Sequence, residues 1–431
     1  MLFNPTIETM PLPRLRALQN ERLRNLVQRV YRQVPWYRHK FDAAGLAPTD
    51  IRTVEDLRRL PFTTKNDLRD NYPFGLLATP RTELVRIHAS SGTTGKPTVV
   101  GYTPADIDLF SEVVARSLAA AGGKPGMILH NAYGYGLFTG GLGLHYGGEK
   151  LGMTVVPVSG GMTDRQLLLL RDFGAEMICC TPSYAQTLAE EVNKRGIDLA
   201  EFSLRYAVLG AEPWTETMRA YVEQGLSVSA TNIYGLSEII GPGVSQEDVD
   251  ERGSGSYVWE DHFFPEVVDK NTGEPLPEGR EGVLVFTTLT KEAMPLLRYW
   301  TNDICSLHYD RGGKRTHIKM SAITGRADDM LIIRGVNLFH TQVEALISDI
   351  PELSAHYQLV VTRSGTLDEV EVRVEISELH QQMLEQQHIA THLQRKIKDN
   401  IGISMRVTLH AVGDIPRSEG GKLKRILDLR G

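Results

Sequence analysis

Short apolar segments that alternate with helical stretches between residues 85 and 236 constrain the fold of this chain most. Each segment is long enough for one buried strand, and they read LVRIHAS, GMILHNA, MTVVPV, AEMICCT and LRYAVLG. Strands that are buried on both faces have near-continuous apolar runs, and helices between such strands are typical of parallel sheets. The sequence therefore predicts a parallel sheet covered by helices.

One of the helices between these strands has a clear start. Thr103 is a favourable N-cap residue, and Pro104 suits the first helical turn. An apolar stripe at helical spacing follows, made by Ile107, Phe110, Val114 and Leu118.

The rest of the chain indicates more than one domain, since 431 residues exceed the usual size of a single one. Residues 1–80 have a helical, charged pattern, and residues 254–317 alternate as antiparallel strands do. After residues 325–329 the pattern is strand, helix, strand, strand, helix, strand. We therefore expect an α/β protein with a large N-terminal domain, residues 1–325, and a small α+β C-terminal domain, residues 326–431.

Charge and cysteine content exclude several classes of protein. A net charge of −6 opposes binding to nucleic acid, because duplex binders need a basic field. The three cysteines lack the spacing of a disulfide framework or a zinc site. The N-terminus has no signal-peptide pattern, and no apolar run approaches the ~18 residues of a membrane helix. We expect a cytoplasmic protein that binds neither membrane nor nucleic acid.

A segment rich in small and hydroxyl residues follows the first apolar strand. Its N–H groups and side-chain oxygens can face phosphate oxygens. It is not a Walker A loop, because Ser90 replaces the first glycine and Pro97 replaces the Ser or Thr, which disfavours a P-loop kinase. A plain glycine turn between a strand and a helix is the alternative. The candidate phosphate-binding residues are Ser90, Ser91, Gly92, Thr93, Thr94, Gly95 and Lys96.

The order of motifs along the whole chain resembles the adenylate-forming superfamily of acyl-CoA synthetases and luciferases. The motifs are SSGTTGKP at 90–97, YGLSE at 234–238, YWTND at 299–303, GRADD at 325–329, and Gly421-Lys422 after Pro416. The segments FTTKNDLRDNYPFG, HNAYGYGLFTGGLG, GAEPWTE and WEDHF are similar to the phenylacetate–coenzyme A ligase family in particular.

The resemblance implies an ATP-dependent ligase that activates a carboxylic acid as an acyl-AMP, releases pyrophosphate and passes the acyl group to coenzyme A. A carboxylate that attacks the α-phosphate brings two anions together, so the site must supply positive charge. Lys422 matches the family's C-terminal catalytic lysine, and Arg326 is expected to pair with phosphate or ribose. Glu238 is suited to a hydrated Mg²⁺, which prefers one or two carboxylates plus phosphate.

Further residues match the family's ATP and coenzyme A sites. Asp303 matches the ribose-binding aspartate, and Asp328 matches the hinge residue about which a mobile C-terminal domain rotates between the two half-reactions. Rotation would bring the loop at Arg334 and Gly335 to the pantetheine arm. The nucleotide site is expected to contain Gly210, Ala211, Glu212, Pro213, Asn232, Tyr234, Gly235 and Ser237.

Aromatic residues beside glycines indicate a pocket for a flat aryl ring, and the resemblance implies that the acid is phenylacetate. Such a lining suits a flat ring, although aromatics packed in the domain core would give the same pattern. The expected pocket residues are Tyr133, Tyr135, Phe138, Gly140, Ala211, Ile240 and Pro242. His88, His145 and His262 lack nucleophile or metal-ligand spacing, and we expect structural roles for them.

Two positions depart from the family pattern. Asp248 and Tyr257 stand where a Cys and a His are common, so substituted benzoate-type acids stay possible substrates. Transfer of the acyl group to an amine, a carrier thiol or another acceptor is the alternative function. A non-catalytic nucleotide sensor would have lost Lys422, Glu238 or Asp303, and all three are present. The resemblance also implies a homodimer.

Overall fold

The computed structural model describes residues 1–90, 97–310, 312–327, 331–333, 336–364, 367–380, 386–418 and 423–430. The chain packs as two compact units. Unit 1 contains Met1–Cys180, Ala200–Ala211 and Val228–Ile323, and unit 2 contains Thr181–Leu199, Glu212–Ser227 and Thr324–Gly431. The domain boundary near residues 325–329 stays a prediction.

The helices alternate with strands through most of unit 1. In unit 1 they are α1 (Pro5–Glu8), α2 (Leu12–Gln33), α3 (Pro35–Ala43), α4 (Lys65–Asp70), α5 (Pro104–Ala120), α6 (Gly140–Leu151) and α7 (Thr163–Asp172). Unit 2 contains α8 (Pro182–Arg195), α9 (Glu216–Leu226), α10 (His340–Ser348) and α11 (Gln386–Ile401). None of the helices in the described ranges is long and apolar enough to span a membrane.

The strands of unit 1 are mostly short. They are β1 (Arg86–Ser90), β2 (Thr98–Tyr102), β3 (Ile128–Asn131), β4 (Thr154–Val156), β5 (Met177–Cys180), β6 (Tyr206–Gly210), β7 (Ser229–Leu236), β8 (Gly241–Glu247), β9 (Ser256–Val258), β10 (Phe263–Val268), β11 (Gly282–Thr288), β12 (Tyr299–Cys305), β13 (Leu307–His308) and β14 (Lys319–Met320). The strands of unit 2 are β15 (Gly325–Arg326), β16 (Leu331–Ile333), β17 (Val336–Leu338), β18 (Leu353–Ser364), β19 (Leu367–Ile376), β20 (Arg406–His410) and β21 (Ile426–Asp428).

The largest sheet of unit 1 confirms the predicted parallel arrangement. Its strand order is β13-β14-β9-β8-β7-β6-β5-β3-β4, and the stretch from β4 through β3, β5 and β6 to β7 is parallel. The strand at LVRIHAS is the exception, because β1 pairs antiparallel with β2 in a separate hairpin. The segment 91–96 therefore connects two strands rather than a strand and a helix.

The N-cap and the antiparallel strands predicted from the sequence are present in unit 1. Thr103 caps α5, and its hydroxyl accepts a hydrogen bond from the Asp106 amide at 3.1 Å. The apolar face of α2, which includes Leu23, Leu26 and Val27, is buried in the core of unit 1. In the β-rich region, β10, β11 and β12 pair antiparallel, as predicted for residues 254–317.

Unit 2 has its own core. Its sheet has the order β20-β19-β18-β21, in which β18 and β19 are antiparallel and the two outer pairings are parallel. Helices α10 and α11 supply apolar residues to a cluster that includes Val343, Leu359, Val372 and Leu393. The predicted α+β pattern is present, with the additional hairpin β16–β17 ahead of α10.

Candidate functional site

The turn between β7 and β8 is the centre of the candidate site in unit 1. The amides of Ile239 and Ile240 both donate to the carbonyl of Leu236, which closes the turn. A Cβ at Gly235 would lie 1.9 Å from the oxygen of Gly241, so only glycine permits this close approach of the two strands. The turn thereby presents Ser237 and Glu238 from a tightly fixed main chain.

Glu238 is a buried residue whose carboxylate has no hydrogen bond or ion pair to the described part of the chain. The side chain is 6% exposed, and no hydrogen bond or ion pair to it occurs within the described ranges. No group of three or more His, Cys, Asp or Glu side chains suitable for a metal occurs in those ranges either. A single uncommitted carboxylate fits Mg²⁺ carried by phosphates better than a cage made wholly of protein ligands.

A lysine that the sequence analysis did not single out lies beside Glu238. Lys291 is 2% exposed, and its Nζ donates to the main-chain oxygen of Glu238 at 3.1 Å. The same Nζ lies 5.1 Å from the centre of the Tyr102 ring. Burial lowers the pKa of Lys291 to about 8, and the charges of Asp106 and Glu238 oppose that lowering. No local pattern marks this lysine as buried, because its neighbour in the sequence is a second charged residue, Glu292.

Two residues that match separate motifs of the family meet directly. The hydroxyl of Tyr234 donates to Oδ2 of Asp303 at 2.6 Å. The Tyr234 ring stacks on Phe286, with ring centres 6.3 Å apart. The two predicted nucleotide-binding side chains, 69 residues apart in the chain, therefore form one polar pair.

The end of β6 and the loop after β3 are also joined. The hydroxyl of Tyr133 donates to the oxygen of Gly210 at 3.1 Å. Ala211, the next residue, has φ +76, which is strained for a residue with a side chain. Burial raises the pKa of Tyr135 to about 12, and its hydroxyl accepts a hydrogen bond from Asn131 at 2.7 Å.

Protein rings occupy the space beside Gly140, a member of the expected acid pocket, and beside Gly143 in the same helix. A Cβ at Gly143 would lie 2.3 Å from the ring of Phe110, and one at Gly140 would lie 2.4 Å from the ring of Phe138. Both glycines therefore accommodate neighbouring aromatic side chains. Ile240 is fully buried in the β7–β8 turn, and Pro242 follows it in β8.

Two members of the expected nucleotide site, Glu212 and Pro213, lie in unit 2. Glu212 accepts hydrogen bonds from the amide of Ser183 at 2.7 Å and from the amide of Leu423 at 3.2 Å. Pro213 follows it, and Arg326 lies in β15. The carboxylate of Glu212 therefore connects the first turn of α8 to the residue that follows Lys422 in the chain. The main-chain N–H of Asn232, in β7 of unit 1, donates a hydrogen bond to the carboxylate of Glu247 at 3.0 Å.

Several predicted site residues fall outside the described ranges, and their roles stay predictions. Ser90 of the phosphate-binding segment is itself described and ends β1, where it pairs with Thr98. The others are Ser91, Gly92, Thr93, Thr94, Gly95, Lys96, Asp328, Arg334, Gly335 and Lys422.

The three histidines have the structural contacts expected of them. His145 contacts the Tyr135 hydroxyl through Nδ1 at 3.2 Å, and His262 contacts the Thr290 hydroxyl at 2.8 Å. His88 contacts the oxygen of Leu137 through Nδ1, whereas its Nε2 is buried without a partner.

The two positions that depart from the family pattern belong to buried ionic clusters. Asp248 pairs with Arg315, which also pairs with Glu8 at 2.7 Å, and all three side chains are at most 1% exposed. The hydroxyl of Tyr257 donates to Glu251 at 2.7 Å. These contacts hold the N-terminal segment and β9 in place.

Family models identify the class of protein that this fold and site define. The model of AMP-binding enzymes matches residues 40–290, and the model of the AMP-binding enzyme C-terminal domain matches residues 335–430. The chain is also similar to solved 2-hydroxyisobutyryl-CoA ligase in complex with an acyl-AMP, at 26% identity and a TM-score of 0.91, covering 99% of this chain and 92% of that one. The fold is that of the AMP-binding enzymes.

Curated relatives narrow the class to a family. Phenylacetate-coenzyme A ligase of Thermus thermophilus is 64% identical over 100% of both chains. The Escherichia coli protein of the same description is 53% identical over 98% of this chain and 97% of its own. This chain belongs to the phenylacetate–coenzyme A ligase family of AMP-binding enzymes.

Proposed function

We propose that this protein joins phenylacetate to coenzyme A in an ATP-dependent reaction with an acyl-AMP intermediate. In the first step a carboxylate oxygen bonds to the α-phosphorus of ATP, and the bond to the β-phosphate breaks to release pyrophosphate. In the second step the sulfur of coenzyme A bonds to the acyl carbon, and AMP leaves. High identity to phenylacetate-coenzyme A ligases over nearly the whole chain supports this reaction and this acid.

The observation that carries the proposal is the meeting of separate motifs around the β7–β8 turn. Tyr234 and Asp303 form one polar pair, and Glu238 presents an uncommitted carboxylate from the adjacent turn. A carboxylate such as Asp303 accepts ribose hydroxyls, and an aromatic ring such as Tyr234 stacks on a base. These groups bind and orient the nucleotide so that its α-phosphate meets the acid.

Positive charge at the reacting phosphate is assigned to Lys422, with Arg326 on phosphate or ribose, following the family pattern. Mg²⁺ held through Glu238 supplies charge neutralisation at the phosphates when it is bound. The segment 90–96 cradles phosphate oxygens. The acid ring is placed among Tyr133, Tyr135, Phe138, Gly140, Ala211, Ile240 and Pro242.

The second half-reaction is assigned to a rotated C-terminal domain. Asp328 serves as the hinge, and the loop at Arg334 and Gly335 contacts the pantetheine arm. Closed states in both steps protect the acyl-AMP from water. The protein acts as a homodimer in the cytoplasm, and light scattering of the purified protein tests the dimer.

The test is a panel of aryl acids with Mg·ATP, in which AMP, pyrophosphate and acyl-CoA are measured with and without coenzyme A. We expect phenylacetate to give AMP and phenylacetyl-CoA in equal amounts. Lys422→Ala should abolish adenylate formation, whereas the matched control Lys424→Ala, at an exposed position two residues away, should retain it. Pyrophosphate without thioester for any acid would refute coenzyme A as the acceptor, and intact ATP throughout would refute the whole proposal.

A further inference from the structure

Among the described residues of unit 1, Lys291 and Lys319 are two buried lysines with opposite surroundings. Lys319 is completely buried and forms ion pairs with Glu251 at 2.8 Å and Asp310 at 2.9 Å. Lys291 is almost as buried, yet no carboxylate within the described ranges lies within 4.0 Å of its ammonium. A structural lysine is normally paired in the manner of Lys319, because an unpaired buried charge is costly.

Lys291 makes one hydrogen bond to the described part of the protein, and the position of its acceptor in the fold suggests a role. The acceptor is the main-chain oxygen of Glu238, 53 residues away in sequence. The next main-chain oxygen but one, that of Ile240, accepts from the Tyr102 hydroxyl at 2.9 Å. Two side chains from different parts of the fold therefore hold the turn that carries Glu238.

The segment that carries Lys291 is itself anchored. The carboxylate of Asp106, in the first turn of α5, accepts hydrogen bonds from the amides of Glu292 at 2.6 Å and Ala293 at 2.9 Å. Asp106 also accepts from the Thr103 amide at 3.0 Å. Helix α5 therefore fixes the segment that carries Lys291. The hydrogen bond from Lys291 in turn fixes the β7–β8 turn.

A neutral donor would satisfy the oxygen of Glu238 at a lower desolvation cost. The positive charge of the Lys291 ammonium is favourable in the proposed reaction, because the site binds the negatively charged phosphates of ATP.

We propose that Lys291 is a positioning residue of the nucleotide site, whose ammonium fixes the main chain of Glu238 and thereby aims its carboxylate at the metal-bearing phosphates. The inference rests on the proposed role of Glu238 in binding Mg·ATP. It assigns no contact between Lys291 and substrate.

The test compares two ligands by titration calorimetry: the magnesium complex of α,β-methylene-ATP, and AMP without metal. Lys291→Met should weaken binding of the first about ten- to hundredfold, the range expected for a hydrogen bond to a charged group, and leave AMP binding unchanged. Lys319→Met is the matched control, because it removes an equally buried ammonium from outside the turn. It should change neither affinity.

Lys291→Gln, which retains an N–H donor without the charge, should recover part of the affinity and serves as the test if the Met variant does not fold. Equal weakening for both ligands, or no change for either, would overturn the inference. Glu238→Gln tests the proposed role of Glu238 separately from that of Lys291. If it binds the magnesium complex as well as the wild type does, the proposed role of Glu238 fails, and the role of Lys291 fails with it.

Discussion

Replacing Lys291 by methionine should stabilise the protein while it weakens nucleotide binding. Methionine has a similar length and no charge, so it fills the site without the desolvation cost of an ammonium. The folded protein lowers the pKa of Lys291 from its usual 10.5 to about 8, chiefly because the side chain is buried. The attraction of Asp106 and Glu238 is already included in that pKa. Because the pKa is still lowered, the charged lysine destabilises the folded protein.

The size of the penalty follows from the two pKa values. The difference corresponds to about 3 kcal/mol at neutral pH, because each factor of ten in the proton affinity is about 1.4 kcal/mol. The penalty is present in full below pH 8, where folded and unfolded chains both carry the proton. It fades between pH 8 and 10.5, because the unfolded chain alone still binds the proton there. Loss of the hydrogen bond to the Glu238 oxygen offsets about 1 kcal/mol of this gain. For a unit of this size, the remaining ~2 kcal/mol corresponds to a rise in Tm of about 3 °C.

Thermal unfolding followed by circular dichroism measures this difference at pH 7 and again near pH 9.5. We expect the Lys291→Met variant to melt above the wild type at pH 7, and the gap to narrow at the higher pH. Lys319→Met should instead melt below the wild type, since Glu251 and Asp310 raise the pKa of Lys319 and the ion pairs stabilise the fold. A Lys291→Met variant with a lower Tm than the wild type at pH 7 would refute the reasoning.

Three further substitutions test other contacts. Tyr234→Phe removes the 2.6 Å hydrogen bond to Asp303 and keeps the ring, so steady-state kinetics should show the KM for ATP raised about tenfold with little change in kcat; an unchanged KM would contradict a role in nucleotide binding. Arg116→Met removes the 2.8 Å partner of Asp261 and the 2.6 Å partner of Glu112, and we expect a loss of about 3–5 kcal/mol in calorimetric unfolding. An unaltered transition would refute this expectation. Asp248→Cys installs the residue common in the family and should cost about 1–3 kcal/mol of stability without changing the preference among aryl acids, whereas a changed preference would show that this position acts on the acid.

Periodicity predicted most of the fold because apolar runs and helical stripes reflect burial directly. The failure at β1 has a definite cause. Val85 and Ile87 are 59% and 45% exposed, whereas His88 and Ala89 are buried, so the apolar residues of this segment do not mark a core strand. Hairpin pairing with β2 depends on a partner strand beyond residues 91–96, which a local pattern does not reveal.

The candidate site was predictable where its residues lie in motifs. Tyr234, Glu238 and Asp303 each stand in a recognisable segment, although the contact between Tyr234 and Asp303 is visible only in the fold. Lys291 was not predictable, because its partner is a main-chain oxygen far away in the sequence, and main-chain groups leave no signature in side-chain patterns. A lysine followed by a glutamate also has the local pattern of a solvated surface pair.

The contacts that support the β7–β8 turn are separate from the carboxylate for which we propose a role in binding. The close approach of Gly235 to Gly241, the hydrogen bond from Tyr102 and the hydrogen bond from Lys291 all act on the main chain. The carboxylate of Glu238 takes no part in holding the turn among the described residues. If the turn were held through that carboxylate, binding of a metal–phosphate complex would have to break the support. Because these contacts stabilise the main chain of the turn, the carboxylate of Glu238 has a fixed position and stays available for a metal–phosphate complex.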